Sequence, residues 1–84
     1  MTLYGVWQYH NNSRVWLEGA GTDIDTLREQ SNAHQAKLKS EGHRGCHFFE
    51  RGEMKSSVFS YFNGERVWSG WLQIEPLPNY NDKE

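Results

Sequence analysis

The sequence predicts an α+β domain: a small antiparallel sheet in the order β-β-α-β-β-β, with one helix packed on one face. Three observations carry this expectation. An eleven-residue segment occurs twice, and each copy contains a hairpin turn. A single capped, weakly amphipathic stretch lies between the copies. A proline-rich segment closes the last alternating run. At 84 residues the chain suits one domain, expected over residues 1–75 with a mobile C-terminal tail at 76–84.

The repeat places the two hairpins. Residues 6–16 (VWQYHNNSRVW) align without gaps on residues 58–68 (VFSYFNGERVW), with identities at Val6/Val58, Tyr9/Tyr61, Asn11/Asn63, Arg14/Arg66, Val15/Val67 and Trp16/Trp68. Asn63-Gly64 between alternating runs is a strong hairpin signal, because a type I′ turn needs positive φ at both central residues, and Asn11-Asn12 serves the same purpose. Two-residue turns set Tyr9 against Arg14 and Trp7 against Trp16 in the first hairpin. In the second they set Tyr61 against Arg66 and Phe59 against Trp68. One face of the sheet then carries these aromatics and arginines. The other carries Val6, Val15, Leu17, Val58, Phe62 and Val67.

The helix begins near Thr22-x-x-Asp25, whose acidic side chains favour the positive end of the helix dipole. Lys37 and Lys39 suit its last turn, and Gly42 suits the position just past the end. Its apolar stripe is thin: Ile24, Leu27 and Leu38, with Ser31 and His34 in the gap. Residues 45–51 (GCHFFER) read as a third strand, with Cys46 and Phe48 inward and His47 outward. Glu75-Pro76-Leu77-Pro78 then ends the sheet, since proline cannot donate to a ladder.

Such a helix covers one sheet face, and the valine face is its natural partner. Trp7, Tyr9, Trp16, Phe59, Tyr61 and Trp68 would then lie uncovered with Arg14 and Arg66 between them. At ~150–250 Å² each, six aromatics exceed the largest apolar patch of an ordinary monomer, ~300–600 Å². A covering is therefore expected. The leading expectation is another protein, bound by a small non-enzymatic adaptor or inhibitor of a larger assembly, the build of many phage and mobile-element accessory proteins. Arginine beside Trp and Tyr is the composition enriched at binding hot spots. Two alternatives remain open. The same face could stack single-stranded nucleic acid, helped by Lys37, Lys39, Arg44 and Arg51, or a second copy could cover it as a homodimer.

Charge and motif content narrow the chemistry. The formal net charge is −2, which disfavours phosphate-backbone binding by the whole surface. The charge is uneven: Lys37, Lys39, Arg44, Arg51 and Lys55 outnumber Glu41, Glu50 and Glu53 in residues 34–55, leaving +2 there. His43, Cys46 and His47 are ligand types for zinc, but no paired spacing completes a set of four, so no metal or other cofactor is expected. No phosphate-binding glycine loop, nucleophile elbow or carboxylate pair is present, so no catalytic residues are expected. One cysteine excludes an intramolecular disulfide framework and points to a reducing, cytoplasmic setting. No apolar run approaches a membrane span, and the first residues lack the basic and apolar regions of a secretory leader.

Overall fold

The computed structural model describes residues 2–78. Two strands, β1 (Tyr4–His10) and β2 (Ser13–Gly21), precede the helix α1 (Ile24–Ser40), and β3 (Phe59–Asn63) and β4 (Arg66–Pro76) follow it. The strands form one four-stranded antiparallel sheet in the order β2-β1-β4-β3. The described residues form an α+β domain in which α1 is the named helix. No helix among the described residues is long and apolar enough to cross a membrane.

Both repeated segments form hairpins. Asn11 and Asn12 take positive φ, 49° and 68°, and set His10 opposite Ser13 and Tyr9 opposite Arg14, as a type I′ turn requires. The second turn differs from expectation. Its central residues are Gly64 and Glu65, and only Gly64 has positive φ, at 65°. That pattern, glycine followed by an ordinary residue, belongs to the type II′ turn. Tyr61 therefore faces Trp68 and Phe59 faces Gly70. The slip is two residues, so each side chain of this hairpin keeps its expected face.

The first hairpin departs in a more consequential way. Its register jumps from Tyr9 opposite Arg14 to Gln8 opposite Trp16, leaving Val15 as an extra residue in β2. A second bulge leaves Glu18 extra between Leu17 and Gly19. Each bulge flips the following side chains to the other face. Trp16 consequently lies opposite Gln8 on the helix side, and Leu17, not Trp16, stands opposite Trp7.

Asp23 is the N-cap of α1. Its carboxylate accepts from the Asp25 N–H at 3.1 Å and the Thr26 hydroxyl at 2.7 Å, which holds its pKa below the ordinary value. Gly42, with φ of 90°, follows the last turn. The buried helical residues are Leu27, Ser31 and Gln35, one turn apart. Leu27 packs with Val6, Phe49, Leu72 and Ile74 to form the core.

Residues 45–51 do not form a strand. Their backbone is held by side-chain amides of the helix: the Phe49 N–H donates to Asn32 Oδ1 at 2.8 Å, Asn32 Nδ2 donates to the Phe49 carbonyl at 3.0 Å, and the His47 N–H donates to Gln35 Oε1 at 3.2 Å. Groups satisfied this way need no neighbouring strand. His47 and Phe49 point inward while Cys46 and Phe48 are half-buried, the reverse of the expected alternation. The chain then joins β4's free edge: the Ser56 N–H donates to the Leu72 carbonyl at 2.8 Å, and the Ile74 N–H donates to the Met54 carbonyl at 2.7 Å. At the other end β4 runs through Pro76, and Leu77 is buried, its N–H donating to the Leu3 carbonyl at 2.9 Å. Residues 79–84 of the expected tail lie outside the described residues.

Candidate functional site

The helix and the 43–58 segment lie on one face of the sheet; on the other, outer face the described residues place Leu77 beside Gly5 and Leu17, while Trp7, Tyr9 and Trp71 are half-buried. Strand alternation sets the content of this outer face. Trp7 and Tyr9 of β1 lie beside Gln73 and Trp71 of β4, while β2 adds Arg14 and Leu17. Towards the second hairpin the same face continues through Val67 and Phe62, which are 68% and 67% exposed.

The outer face is an interlocked ladder. Tyr9 and Trp71 stack with centroids 4.9 Å apart and planes 6° from parallel. The Arg14 guanidinium sits 4.5 Å from the centre of the Trp7 ring, and the Lys55 ammonium 4.4 Å from that of Trp71. Glu75 ties the ladder together, accepting a short hydrogen bond from the Tyr9 hydroxyl and pairing with Arg14 at 3.5 Å. Trp71 Nε1 donates to Gln73 Oε1 at 3.0 Å. The hydrogen bond to Glu75 raises the Tyr9 pKa, as do burial and the Glu75 charge, against the opposing pull of Arg14. Tyr9 therefore stays a neutral donor at physiological pH.

The expected aromatic face is thus divided. Trp7, Tyr9 and Arg14 are on the outer face. Trp16, Phe59, Tyr61 and Trp68 are on the helix side, and the register puts Arg66 on that side too. The valine set is divided as well: only Val6 reaches the core, while Val15, Leu17, Val58, Phe62 and Val67 are exposed. Trp71, Lys55 and Glu75 belong to the outer face but lie outside the repeated segments. The alternation of Trp71, Gln73 and Glu75 would identify them once β1 and β4 are paired.

The helix side holds a different constellation. Trp16, Gln8, His34, Gln35, His43 and His47 border a cleft of about 500 Å³ between the helix and the first hairpin. His47 is 3% exposed, and its ring meets Phe59 edge-on at 5.9 Å. Burial, helped by the charge of His10, lowers its pKa against a backbone hydrogen bond at Ser57. Burial also raises the pKa of Glu18, against the opposing effects of His34 and Gln35. His10 meets Trp68 edge-on at 6.3 Å. Cys46 is a free thiol beside the His43 carbonyl, 3.7 Å away. Although His43, Cys46 and His47 border one cleft, no three His, Cys, Asp or Glu side chains converge as a metal site among the described residues.

Of the basic residues, Lys37 and Lys39 lie in the last turn of α1 and Arg44 in the loop beyond it. Arg51 borders a separate hollow with Asp25, Arg28 and Glu29. All four are on the helix side, across the sheet from Trp7 and Tyr9. Comparison with protein-family models, with curated proteins and with solved structures finds no match to this chain.

Proposed function

We propose that this chain is a small non-enzymatic protein-binding module, an adaptor or inhibitor of a larger assembly in a reducing, cytoplasmic setting, and that it binds through the outer face of its sheet. The supporting observation is the ladder of Trp7, Tyr9, Arg14, Trp71 and Lys55 on the sheet face opposite the helix. Fixed aromatic and arginine side chains lose little conformational freedom on binding, which is why they dominate hot spots. The exposed Leu17, Val67 and Phe62 extend the apolar area across all four strands. The ring geometry favours a protein partner over nucleobases. Tyr9 and Trp71 already occupy each other's faces, and Arg14 and Lys55 cover further ring faces, so base stacking would have to break existing contacts.

The test replaces Phe62 and Val67, both largely exposed, with Glu in one variant, and checks folding by circular dichroism. Proteins crosslinked to the wild type in its native extract are compared with those crosslinked to this variant and to a Trp16→Ala control. A partner kept by the wild type and the control but lost by the outer-face variant supports the proposal. An identical set for all three proteins refutes it. Light scattering on the pure protein distinguishes a second copy as the partner: a dimer mass that reverts to monomer in the Phe62/Val67 variant would identify self-association as the covering.

A further inference from the structure

On the helix side, independently of the outer face, a groove of about 250 Å³ lies between the loop after α1 and β3. Phe48, Phe59 and Tyr61 supply its aromatic walls, and Lys39, His43 and Arg44 its polar side, with no carboxylate among the lining residues. This is the reverse of the chain's overall balance of −2. The aromatic contacts also differ from those of the outer ladder. The His47 and Phe59 rings meet at 78° with centroids 5.9 Å apart, and Phe59 lies tilted by 39° to Tyr61, so neither contact is a parallel stack. Lys39 is held at the rim, its ammonium 6.0 Å from the Phe48 ring centre. Gly45 lets the loop pass close: its φ is 73°, and a Cβ there would meet the Tyr61 ring at 3.2 Å.

We infer that this groove binds an anionic aromatic ligand of the nucleotide class, with the base against Phe59 and Tyr61 and the phosphate at Arg44 and Lys39. The volume suits one ring system and falls below that of pockets enclosing drug-sized molecules, ~300–1,000 Å³. The cations match a phosphate, and the absence of lining carboxylates leaves that match unopposed. His43, Arg44, Gly45 and Cys46 also border the neighbouring cleft that contains Trp16, so the same cation fronts two concavities with aromatic walls. Such a chemistry is offered both by a free nucleotide and by a single strand with consecutive bases.

Two probes distinguish these sources: thymidine monophosphate by titration calorimetry, and a fluorescein-labelled ten-residue oligothymidylate by anisotropy at two salt concentrations. Saturable binding of either, at or below ~100 µM, is expected. Equal affinity per site for both probes indicates a free nucleotide, whereas tighter binding of the oligonucleotide indicates a single strand. Tyr61→Leu should weaken binding by roughly five- to 150-fold, the range for loss of one base–aromatic stack. Arg44→Glu and Lys39→Glu should each weaken it, and each should reduce the oligonucleotide salt slope by about 0.7. Both rim residues are exposed, so these two variants decide the matter if Tyr61→Leu fails to fold. The Phe62/Val67 variant should bind normally, which separates this groove from the outer face. The inference is overturned if neither probe binds up to ~1 mM, a concentration above the weak non-specific range. It is equally overturned if both rim variants bind like the wild type, or if the outer-face variant abolishes binding.

Discussion

The outer ladder makes a quantitative demand on the pair Tyr9 and Trp71. Their centroids are 4.9 Å apart with planes 6° from parallel, which is an offset stack between adjacent strands, since Tyr9 and Trp71 face each other in the register. Such pairs contribute ~0.5–1.5 kcal/mol beyond the apolar area they bury. Trp71→Leu removes that term together with the Lys55 contact, ~0.5–1 kcal/mol at an exposed site, and the hydrogen bond to Gln73. Tyr9→Leu removes the same stack and the hydrogen bond to Glu75, ~1.5–3 kcal/mol for a charged acceptor. Neither single variant isolates the stack, but a double-mutant cycle does, because the contacts to Lys55, Gln73 and Glu75 cancel. A coupling of ~0.5–1.5 kcal/mol is expected from urea unfolding followed by far-UV circular dichroism. Tryptophan fluorescence is unsuitable because one variant removes a reporter. A domain of this size has ~4–13 kcal/mol of stability at the usual ~0.05–0.15 kcal/mol per residue, so each variant must first be shown to be folded in buffer. A coupling below ~0.3 kcal/mol, the scatter of independent sites, would refute the stacked ladder.

Two pH-dependent outcomes follow from the helix side. Burial raises the Glu18 pKa above 4.5, so folding disfavours its carboxylate and stability falls as pH rises from 4.5 through the folded value. Glu18→Gln should therefore raise the thermal midpoint at pH 7, and the gain should vanish below pH 4.5; a loss at pH 7 would count against the burial argument. Burial lowers the His47 pKa below 6.5, so the folded protein holds it neutral while the unfolded chain accepts a proton. Its contribution is complete above pH 6.5 and declines as pH falls from there towards the folded value. Thermal midpoints across pH 5–8 should show this decline in the wild type and a smaller one in His47→Leu; equal declines would place the titration elsewhere.

Local chemistry made much of the architecture readable. Asn11-Asn12 fixes the first turn, because two consecutive residues tolerant of positive φ leave one ordinary two-residue connection. The second turn is centred one position later than Asn63-Gly64 because one glycine suffices for a type II′ turn, and the resulting two-residue slip is invisible to any argument about faces. The helix is legible from its acidic start and from Gly42, and polar residues beside its thin apolar stripe hold the following loop. Gln35, together with Asn32, uses its amide to bind the 45–51 backbone. That function hides the loop: GCHFFER has strand-like composition, and the amides that divert it are twelve or more residues away in sequence.

The candidate faces were less legible, for a physical reason located at Val15. A bulge adds one residue to one strand without any compositional mark, since β-branched residues occupy bulges and ladders alike. Without it, Trp16 would join Trp7 and Tyr9, as the repeat implies; with it, Trp16 borders the cleft next to the helix. The same extra residue breaks the equivalence of the two copies. Tyr61 shares a face with Trp68, whereas Tyr9 and Trp16 are on opposite faces, so the repeat is one of sequence and turn but not of surface. The consequence is a separation of cations by stacking partner. Arg14 and Lys55 close over Trp7 and Trp71 on the outer face, where the rings are already engaged. Lys39 and Arg44 stand beside Phe48, Phe59 and Tyr61 on the helix side, in a groove without a lining carboxylate. Arg14 and Lys55 therefore lie on one surface and Lys39 and Arg44 on another of different chemistry, the first a ladder of rings and paired charges and the second a groove of cations and aromatic walls. The Phe62/Val67 variant tests one surface and the Arg44 and Lys39 variants the other, so the two proposals stand or fall separately.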